Sequence, residues 1–516
     1  MFLYIILIFF FIYAIVCHLY NKILNFPPTL FPTLPIIGHI YLLKNPSCLH
    51  RTLTKLSKLY GPIFHLNFGN YPVLVISSPS IIEECLKQKD VIFANRPLGT
   101  TSGKIIAYNY TTLATSPYNG HWRNLRRISH EILTTNRLNA FSYVRVDEVS
   151  LLVLQLLRLR EQQDKTHALN MRLLFKEVTL NSLMRMIVGK RYYEDCIVSS
   201  KDSEEAEMFR GMITESLRSA SYVLVSDFVP ILRMFGFEKK LHKKMIELRN
   251  NRDRFMQILI NQHKTTPKTD CSSSSNESKN NVKSMIEVLM ALQESEPEYY
   301  KDEIIKGLLL DLLAAGTETS TTTMEIALSF LLNHPEAMEK AHMELVNIVG
   351  EDRLVNESDL AKLPYLHAII KETLRLLPPG PVIVHASSDE TTISGHRVPA
   401  GSMVLFNMWA IHRDPMIWVE PDKFMPERFL ENEGLGEGFT LLPFGYGRRV
   451  CPGENLAWRM MGLTLATIIQ CFEWERMSHK MVDMSEYVRG LSLSLTNPLQ
   501  AKCRPRSTMI KIISQI

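Results

Sequence analysis

The stretch 442–453, LPFGYGRRVCPG, is the most informative part of the sequence because it combines turn-forming glycines with one cysteine. Gly445 and Gly447 permit tight turns and let the backbone approach a flat ligand closely. Cys451 is followed by Pro-Gly and then by ENLAWRMMGLTLATII, whose apolar spacing predicts an amphipathic helix. A thiolate at a helix amino terminus is stabilised by free N–H groups and the helix dipole. Cys451 is therefore either a metal-binding thiolate or a buried structural cysteine. Zinc is not indicated, since no second Cys or His lies at ligand spacing.

Upstream, residues 302–333 read DEIIKGLLLDLLAAGTETSTTTMEIALSFLLN and predict one long helix ended by a His-Pro pair. The segment is apolar nearly all round, so the helix should be buried. Gly316 and the hydroxyls that follow it can loosen the helical hydrogen-bond ladder and admit water. Glu318 beside Thr319 indicates a proton relay. The alternative is a core helix whose threonines bond back to the backbone.

Two further pairs have helical spacing. Glu372 and Arg375 in KETLRLLPPG lie three residues apart, and Trp122 and Arg126 in HWRNLRR lie four apart. Each pair therefore shares one face of a helix. Taken singly, the first is an ordinary surface ion pair and the second a solvated basic helix with a half-buried Trp.

Together these motifs resemble those of the cytochrome P450 superfamily of haem-thiolate monooxygenases. The family pattern F-x-x-G-x-R-x-C-x-G is matched by Phe444, Gly447, Arg449, Cys451 and Gly453. The resemblance implies that the cofactor is haem b and that Cys451 is the axial ligand of its iron, a ligand type that favours O–O cleavage. It also implies that Arg449 pairs with a haem propionate and that Phe444 packs near the thiolate.

The same resemblance assigns roles to the other motifs. Thr319 and Glu318 would deliver protons over the haem, on the helix that Gly316 loosens. A buried network of Glu372, Arg375 and the arginine of a Pro-Glu-Arg-Phe segment would support the cysteine loop; that arginine is Arg428. The implied cofactor-binding residues are Trp122, Arg126, His385, Phe444, Gly447, Arg449, Cys451 and Gly453.

One segment departs from the family pattern. After Pro378-Pro379, relatives usually have five residues before a Pro-His or Pro-Arg pair that reaches a propionate. Here 380–385 reads GPVIVH, which lacks that proline and is one residue shorter. The resemblance makes His385 the candidate propionate ligand, but the shorter segment argues against that role and predicts a reshaped pocket wall beside the iron. By family analogy the substrate walls are 100–112, 308–315, 382–384 and 492–495, which are mostly apolar and indicate a lipophilic substrate.

The amino terminus predicts a membrane anchor. Residues 1–20, MFLYIILIFFFIYAIVCHLY, are long enough as a helix to cross a bilayer core. A cleaved secretory signal is the alternative, but no basic region precedes the apolar run and no small-residue cleavage site follows. The first basic residue is Lys22, which places the body of the protein in the cytosol. We predict a transmembrane helix at 1–20, a proline-rich hinge at 21–40 and a haem-thiolate domain at 41–516, located at the endoplasmic reticulum.

Composition sets the broad class. A chain of 516 residues with 46% hydrophobic and 9% aromatic residues is not disordered. The charge balance, 58 − 53 = +5, is too weak and dispersed to indicate nucleic acid. Eight cysteines are too sparse for a disulfide scaffold. Helical spacing from about residue 120 to 375 predicts a mainly α, single large domain of the P450 type with small β-sheets, interrupted by an exposed low-complexity connector at 264–284.

The resemblance is strongest to the plant microsomal branch that acts on isoflavonoids, lignans, indole glucosinolates and triterpenoids. It implies an enzyme that uses O2 and NADPH to hydroxylate a lipophilic specialised metabolite. Electrons would come through a separate NADPH–cytochrome P450 reductase, since the chain has no flavin or nucleotide motif. The alternatives are a haem-thiolate isomerase or dehydratase, an oxidative ring-closing enzyme, and a non-catalytic membrane-tethered binding scaffold.

Overall fold

The fold was analysed in a computed structural model that describes residues 2–44, 48–162, 168–192, 224–265, 282–431, 438–489 and 492–516. Helices dominate these ranges. They are α1 (Phe2–Ile23), α2 (Leu49–Tyr60), α3 (Pro79–Glu83), α4 (Thr101–Ile105), α5 (Gly120–Ile132), α6 (Thr135–Ala140), α7 (Ser142–Gln162), α8 (Met171–Val188), α9 (Val225–Phe228), α10 (Ile231–Met234), α11 (Lys239–Thr265), α12 (Met285–Ser295), α13 (Asp302–Asn333), α14 (Pro335–Ile348), α15 (Pro364–Leu376), α16 (Met408–Ile411), α17 (Arg428–Glu431), α18 (Glu454–Cys471) and α19 (Ile510–Ile513).

The strands form small sheets beside the helices. They are β1 (Ile63–Phe68), β2 (Tyr71–Ile76), β3 (Leu169–Asn170), β4 (Ile383–Ala386), β5 (Thr391–Ile393), β6 (His396–Val398), β7 (Met403–Phe406), β8 (Phe472–Arg476), β9 (Glu486–Arg489), β10 (Ser492–Leu495) and β11 (Gln500–Pro505). The largest sheet has the order β1-β2-β7-β4, and the others are β3-β11-β8, β9-β10 and β5-β6. In the largest sheet only β2 and β7 are parallel, with Val73 opposite Met403.

Helix α13 lies at the centre of the helical part and packs against α8, α14, α15 and α18. Its bounds are those predicted from the sequence. The carboxyl-terminal half is buried on all sides from Ser320 to Leu332. Its polar groups are satisfied inside the protein: Thr323 and Ser329 bond back to the helix backbone, and Glu325 pairs with Arg172. The helix ends at His334, since Pro335 begins α14 and cannot continue the hydrogen-bond ladder.

Helix α18 begins at Glu454, as the sequence predicts, and continues to Cys471. The runs IFHLNFG (63–69) and YPVLVIS (71–77), which predict strands beside Pro and Gly, are seen as β1 and β2. The mainly helical fold with small sheets is therefore confirmed. Most of the predicted connector at 264–284 lies outside the described residues. Its two ends are visible: α11 ends at Thr265, and Ser284 caps α12 with a reciprocal bond to Glu287.

The apolar amino terminus forms α1, which continues past the predicted anchor boundary at residue 20 to Ile23. Within the described ranges, no helix meets the combined length and hydropathy expected of a membrane span. The membrane-spanning part of the fold prediction is therefore not confirmed.

Candidate active site

A cavity of about 440 Å³ lies between α13 and the cysteine loop. Its walls come from α5, α8, α13, β4 and the loop before α18. Most of the lining is apolar. The polar and titratable residues in its wall are Arg96, Trp122, Arg126, Thr179, Asp311, Thr319, Ser320, Thr323, His385, Tyr446, Arg449 and Cys451. The cavity thus brings the two central motifs of the sequence, Cys451 and Thr319, to one space.

The cysteine loop is shaped by close backbone packing. Gly447 has φ +72°, and a Cβ there would lie 2.6 Å from the Leu86 carbonyl oxygen and 2.8 Å from Asp90 Oδ1. Only glycine fits such a position without displacement. The N–H of Cys451 donates to the Phe444 carbonyl at 2.9 Å, which closes the loop directly before α18. The sulfur is therefore held at a fixed place in the cavity wall.

The electrostatics of Cys451 differ from the sequence-based expectation. Burial raises the pKa of its thiol, while the Gly453 N–H and the charge of Arg126 act in the opposite direction. The predicted stabilisation of the thiolate by the helix terminus is present but smaller than the cost of burial. A buried thiolate here therefore needs a further positive charge nearby, which a bound metal ion supplies.

Three arginines line the same cavity. Arg126 donates to the Val450 carbonyl at 2.7 Å, and Arg96 and Arg449 likewise donate only to backbone carbonyls. Within the part of the chain that the structure describes, none of them forms an ion pair with a carboxylate. Burial lowers the pKa of Arg96 to about 10, and burial with repulsion from Arg96 and Arg126 lowers that of Arg449 to about 9.

A desolvated cation without an acid partner is costly, and three half-buried arginines around one cavity indicate an anionic ligand. Haem b carries two propionates and is flat, so the arginines, the close-packed loop and the cysteine suit it. The residues present therefore fit the group that the sequence predicts. Arg449 would pair with a propionate as expected, with Arg96 and Arg126 beside it.

Two predicted propionate ligands have other partners. Trp122 donates its single ring N–H to the Leu113 carbonyl at 3.2 Å, and its ring lies 4.4 Å from the Arg449 guanidinium. Trp122 therefore contacts Arg449 through its ring, and its bond to a propionate stays a prediction. His385, on β4, bonds through Nδ1 to the Phe93 carbonyl at 2.7 Å. Burial and the charge of Arg96 hold the pKa of His385 well below its usual value, so the ring is neutral.

The predicted proton relay is only partly brought together. Thr319 lines the cavity, and its hydroxyl donates to the Ala315 carbonyl at 2.7 Å. Gly316 also lines it, and a Cβ at Gly316 would lie 3.0 Å from the Leu183 side chain on α8. Glu318 is half-buried and is not among the lining residues. Its part in proton delivery stays a prediction.

The charged network behind the loop is present in the structure. Glu372 accepts two hydrogen bonds from Arg375, at 2.7 and 2.8 Å, and one from Arg428 at 3.0 Å. All three side chains are buried. Glu372 also accepts from the Met425 N–H, and Arg375 donates to three backbone carbonyls between residues 412 and 423. The network thus ties α15 to the irregular segment that leads to the cysteine loop.

The comparison that decides the family is a sequence profile described as "Cytochrome P450", which matches residues 28–502. The chain belongs to the cytochrome P450 family. It is an oxygenase that uses haem iron, with electrons from a separate reductase.

Curated relatives of this cytochrome P450 include plant enzymes of nearly equal length. "Cytochrome P450 81Q32" of Catharanthus roseus is 46% identical, with 95% of this chain and 94% of the relative covered. "Isoflavone 2'-hydroxylase" of Glycyrrhiza echinata is 45% identical, with 98% and 97% covered. "(+)-piperitol/(+)-sesamin synthase" of Sesamum radiatum is 41% identical, with 98% and 96% covered. Among solved structures, a zebra fish cytochrome P450 with progesterone has a TM-score of 0.72 and 27% identity, and covers 89% of this chain and 99% of its own.

Sequence reasoning missed one of the cavity arginines. Arg96 lies in FANRP, residues 93–97, which belong to none of the motifs described above. No local spacing identifies it, because its neighbours in the cavity come from β4 and the cysteine loop. Only the fold brings Arg96 beside Arg449.

We expect Arg96→Gln to weaken haem retention in this cytochrome P450. Glutamine keeps a donor for the backbone carbonyls but removes the charge, and a hydrogen bond to a charged group contributes about 1.5–3 kcal/mol. Transfer of haem to apomyoglobin should become at least roughly tenfold faster. The control is Arg127→Gln, since exposed Arg127 pairs with Glu131 outside the cavity. Equal transfer rates in wild type and Arg96→Gln would contradict the assignment.

Proposed function

We propose that this cytochrome P450 hydroxylates a lipophilic plant specialised metabolite of the flavonoid, isoflavonoid, lignan or triterpenoid type, using O2 and NADPH through a separate reductase. The observation that carries the proposal is the single cavity to which both Cys451 and Thr319 contribute. The mostly apolar lining supports a lipophilic substrate. The names of relatives at 41–45% identity, an isoflavone hydroxylase and a sesamin synthase, support the metabolite classes.

The chain's own residues bind the haem, hold a proton donor in place and exclude bulk water. Bound haem supplies the iron at which O2 is activated and one oxygen atom is transferred. Cys451 would hold that iron, while Arg96, Arg126 and Arg449 would neutralise the propionates. Thr319 offers a hydroxyl at the cavity surface, anchored to the helix backbone at Ala315, from which a proton can be passed inward. Leucines and methionines in the walls keep bulk water out.

Thr319→Val tests the hydroxyl at nearly constant side-chain volume. Product formation should fall by roughly 10²-fold, the lower end of what a positioned proton donor contributes, while the spectrum of the reduced, CO-treated protein stays unchanged. Thr317→Val is the matched control. Thr317 donates to the Leu313 carbonyl at 2.7 Å with the same helical geometry but is buried away from the cavity lining. Equal losses in both variants would show a helix effect instead.

The reaction type is tested in microsomes that contain the protein and a plant reductase. They would be supplied with NADPH, ¹⁸O2 and a panel of flavonoids, isoflavonoids, lignans and triterpenoids, with product masses recorded. One ¹⁸O atom per hydroxylated product is expected. Substrate turnover that continues without O2 and reductase would instead identify an isomerase or dehydratase.

We further propose that α1 anchors the protein in the endoplasmic reticulum membrane, with the catalytic domain in the cytosol. Supporting this, residues 1–20 contain no Asp, Glu, Lys or Arg, and the first basic residue, Lys22, follows them. A variant that lacks residues 2–23 should move from the microsomal pellet to the salt-washed supernatant. Retention of full-length protein in that supernatant would refute the anchor.

Arg123, Arg127, Arg448 and Arg459 lie in or beside the motifs near the cysteine loop, and from the sequence they predict a positive surface for the reductase. Three of these four arginines are paired with acids. Arg459 pairs with Glu357 at 2.9 Å, Arg448 with Asp90 at 3.0 Å and Arg127 with Glu131 at 2.9 Å. Arg123 is exposed. Electrostatic steering by this surface is therefore weaker than the sequence alone predicted.

A further inference from the structure

Asp311 is the one acid among the residues that line the cavity in the described part of the chain. It lies on α13 four residues before Ala315 and eight before Thr319, so the three share one face of the helix. With a rise of about 1.5 Å per residue, Asp311 lies about 12 Å along the helix axis from Thr319. The acid therefore marks the end of the cavity that is remote from the reacting centre.

The hydrogen bonds of Asp311 leave part of its carboxylate unused. Oδ2 accepts the Ala114 N–H at 2.8 Å, and the Thr112 hydroxyl is a second donor. A carboxylate offers about four acceptor positions, so about two remain. Asp311 is half-buried although it lies deep inside the protein, because its accessible surface opens into the cavity. Within the described residues, no Lys or Arg forms an ion pair with it.

Burial raises the pKa of Asp311, and the charge of a buried guanidinium nearby acts in the opposite direction. Arg252 on α11 is 8% exposed, and its Nε has no hydrogen-bond partner in the described part of the chain. Its charge acts on Asp311 without a direct ion pair. The acid is thus oriented from the loop side by Thr112 and Ala114, its burial is only partly offset by Arg252, and it lines the cavity.

A purely structural role would explain only part of this arrangement. Tying the loop to α13 requires one acceptor for the Ala114 N–H, which a neutral amide provides. An acid whose free acceptors face an apolar cavity loses the hydrogen bonds it would make to water. A ligand that donates a hydrogen bond at this point restores them.

We propose that Asp311 is a specificity-determining residue that accepts a hydrogen bond from a hydroxyl group of the substrate, at the end remote from the carbon that is oxidised. The inference rests on the proposed function and narrows its substrate class. The substrate is a lipophilic phenol or alcohol whose hydroxyl lies roughly 10 Å from the oxidised carbon, given the spacing along α13.

The test compares pairs of ligands that differ only in whether a hydroxyl group can donate a hydrogen bond. One pair is an isoflavone with a free 7-hydroxyl group and its 7-methyl ether; the other is a triterpenoid 3-alcohol and its methyl ether. Binding to the full-length holoprotein is measured by titration of the Soret band, and the variants are Asp311→Asn and, as control, Glu303→Gln. Glu303 is an exposed acid on the same helix and lies outside the cavity lining.

In at least one pair, we expect wild type and Glu303→Gln to bind the hydroxylated member at least about tenfold more tightly than the ether. Asp311→Asn should bind both members with similar affinity, because its amide N–H donates equally to a hydroxyl or an ether oxygen while its carbonyl still accepts from Ala114. Discrimination should thus fall about tenfold, with ether binding nearly unchanged.

Two results would overturn the inference while leaving the proposed function intact. The first is a wild-type protein with a normal thiolate Soret band that binds both members of each pair equally or not at all. The second is equal loss of affinity for both members in Asp311→Asn, which indicates a structural role for the acid. Absence of the thiolate band in wild type would overturn the proposed function and, with it, the inference.

Discussion

Cys451→Ala will abolish the red-shifted Soret band of the reduced, CO-treated protein and, with it, monooxygenase activity. The substitution removes the one cysteine sulfur among the described residues that line the cavity, so no other thiolate can replace it there. Loss of an outer-shell partner typically lowers metal-site function about 10–100-fold, so loss of the axial ligand itself should exceed that range. The measurement is the CO difference spectrum at matched protein concentration.

Cys471→Ala serves as the control, because Cys471 is buried at the far end of the same helix and away from the cavity. It should keep the band while losing some packing. Far-UV circular dichroism of both variants separates loss of the ligand from loss of the fold. A thiolate band that persists in Cys451→Ala would show that the axial ligand has been misassigned.

Glu372→Gln should leave the protein unable to hold haem. Two buried arginines, Arg375 and Arg428, would lose their common carboxylate, and stranding a buried charge costs about 3–5 kcal/mol. We expect a haem-to-protein ratio near zero and a lower urea midpoint for unfolding. In any fraction that retains haem, turnover per haem should equal that of wild type, since Glu372 does not line the cavity.

The matched control is Glu390→Gln. Glu390 pairs with Arg397 at 2.7 Å on the surface, where both side chains are about half exposed, and such pairs contribute at most about 1 kcal/mol. Its haem content should stay at the wild-type level. Normal haem content in Glu372→Gln, or a fall in turnover per haem, would contradict a purely structural role for the network.

Helix α13 and the cysteine loop could be predicted from the sequence because their physical signals are local. Helix α13 is apolar nearly all round and ends before Pro335, so neither its existence nor its end depends on distant residues. The cysteine loop is similar, since Gly447 and Cys451 carry their constraints within one short segment. The mainly helical architecture followed from such signals.

The direction in which a side chain points and the distant residues that it contacts were harder to predict. Neighbours on a helix differ by about 100° in direction, so Thr319 at the cavity and Glu318 away from it follow from helical phase once one of them is fixed. Arg96 carries no such local signal, because its role depends on Arg449 some 350 residues later. For Cys451, the sequence correctly predicted that the N–H groups at the helix terminus lower the pKa of the thiol. The larger opposing effect of burial depends on the whole fold.

The pairing of β2 with β7 has a consequence for how the protein is made. Val73 pairs with Met403, so the β1–β2 hairpin cannot pair with β7 until about 330 further residues (403 − 73) have been synthesised. Closing so long a loop carries an entropic cost and slows assembly. Strand β4, which carries part of the cavity wall, joins the sheet only through β7, and Cys451 follows later still. Haem loading is therefore a late event in biosynthesis, and a nascent chain stopped before α18 lacks a complete binding site.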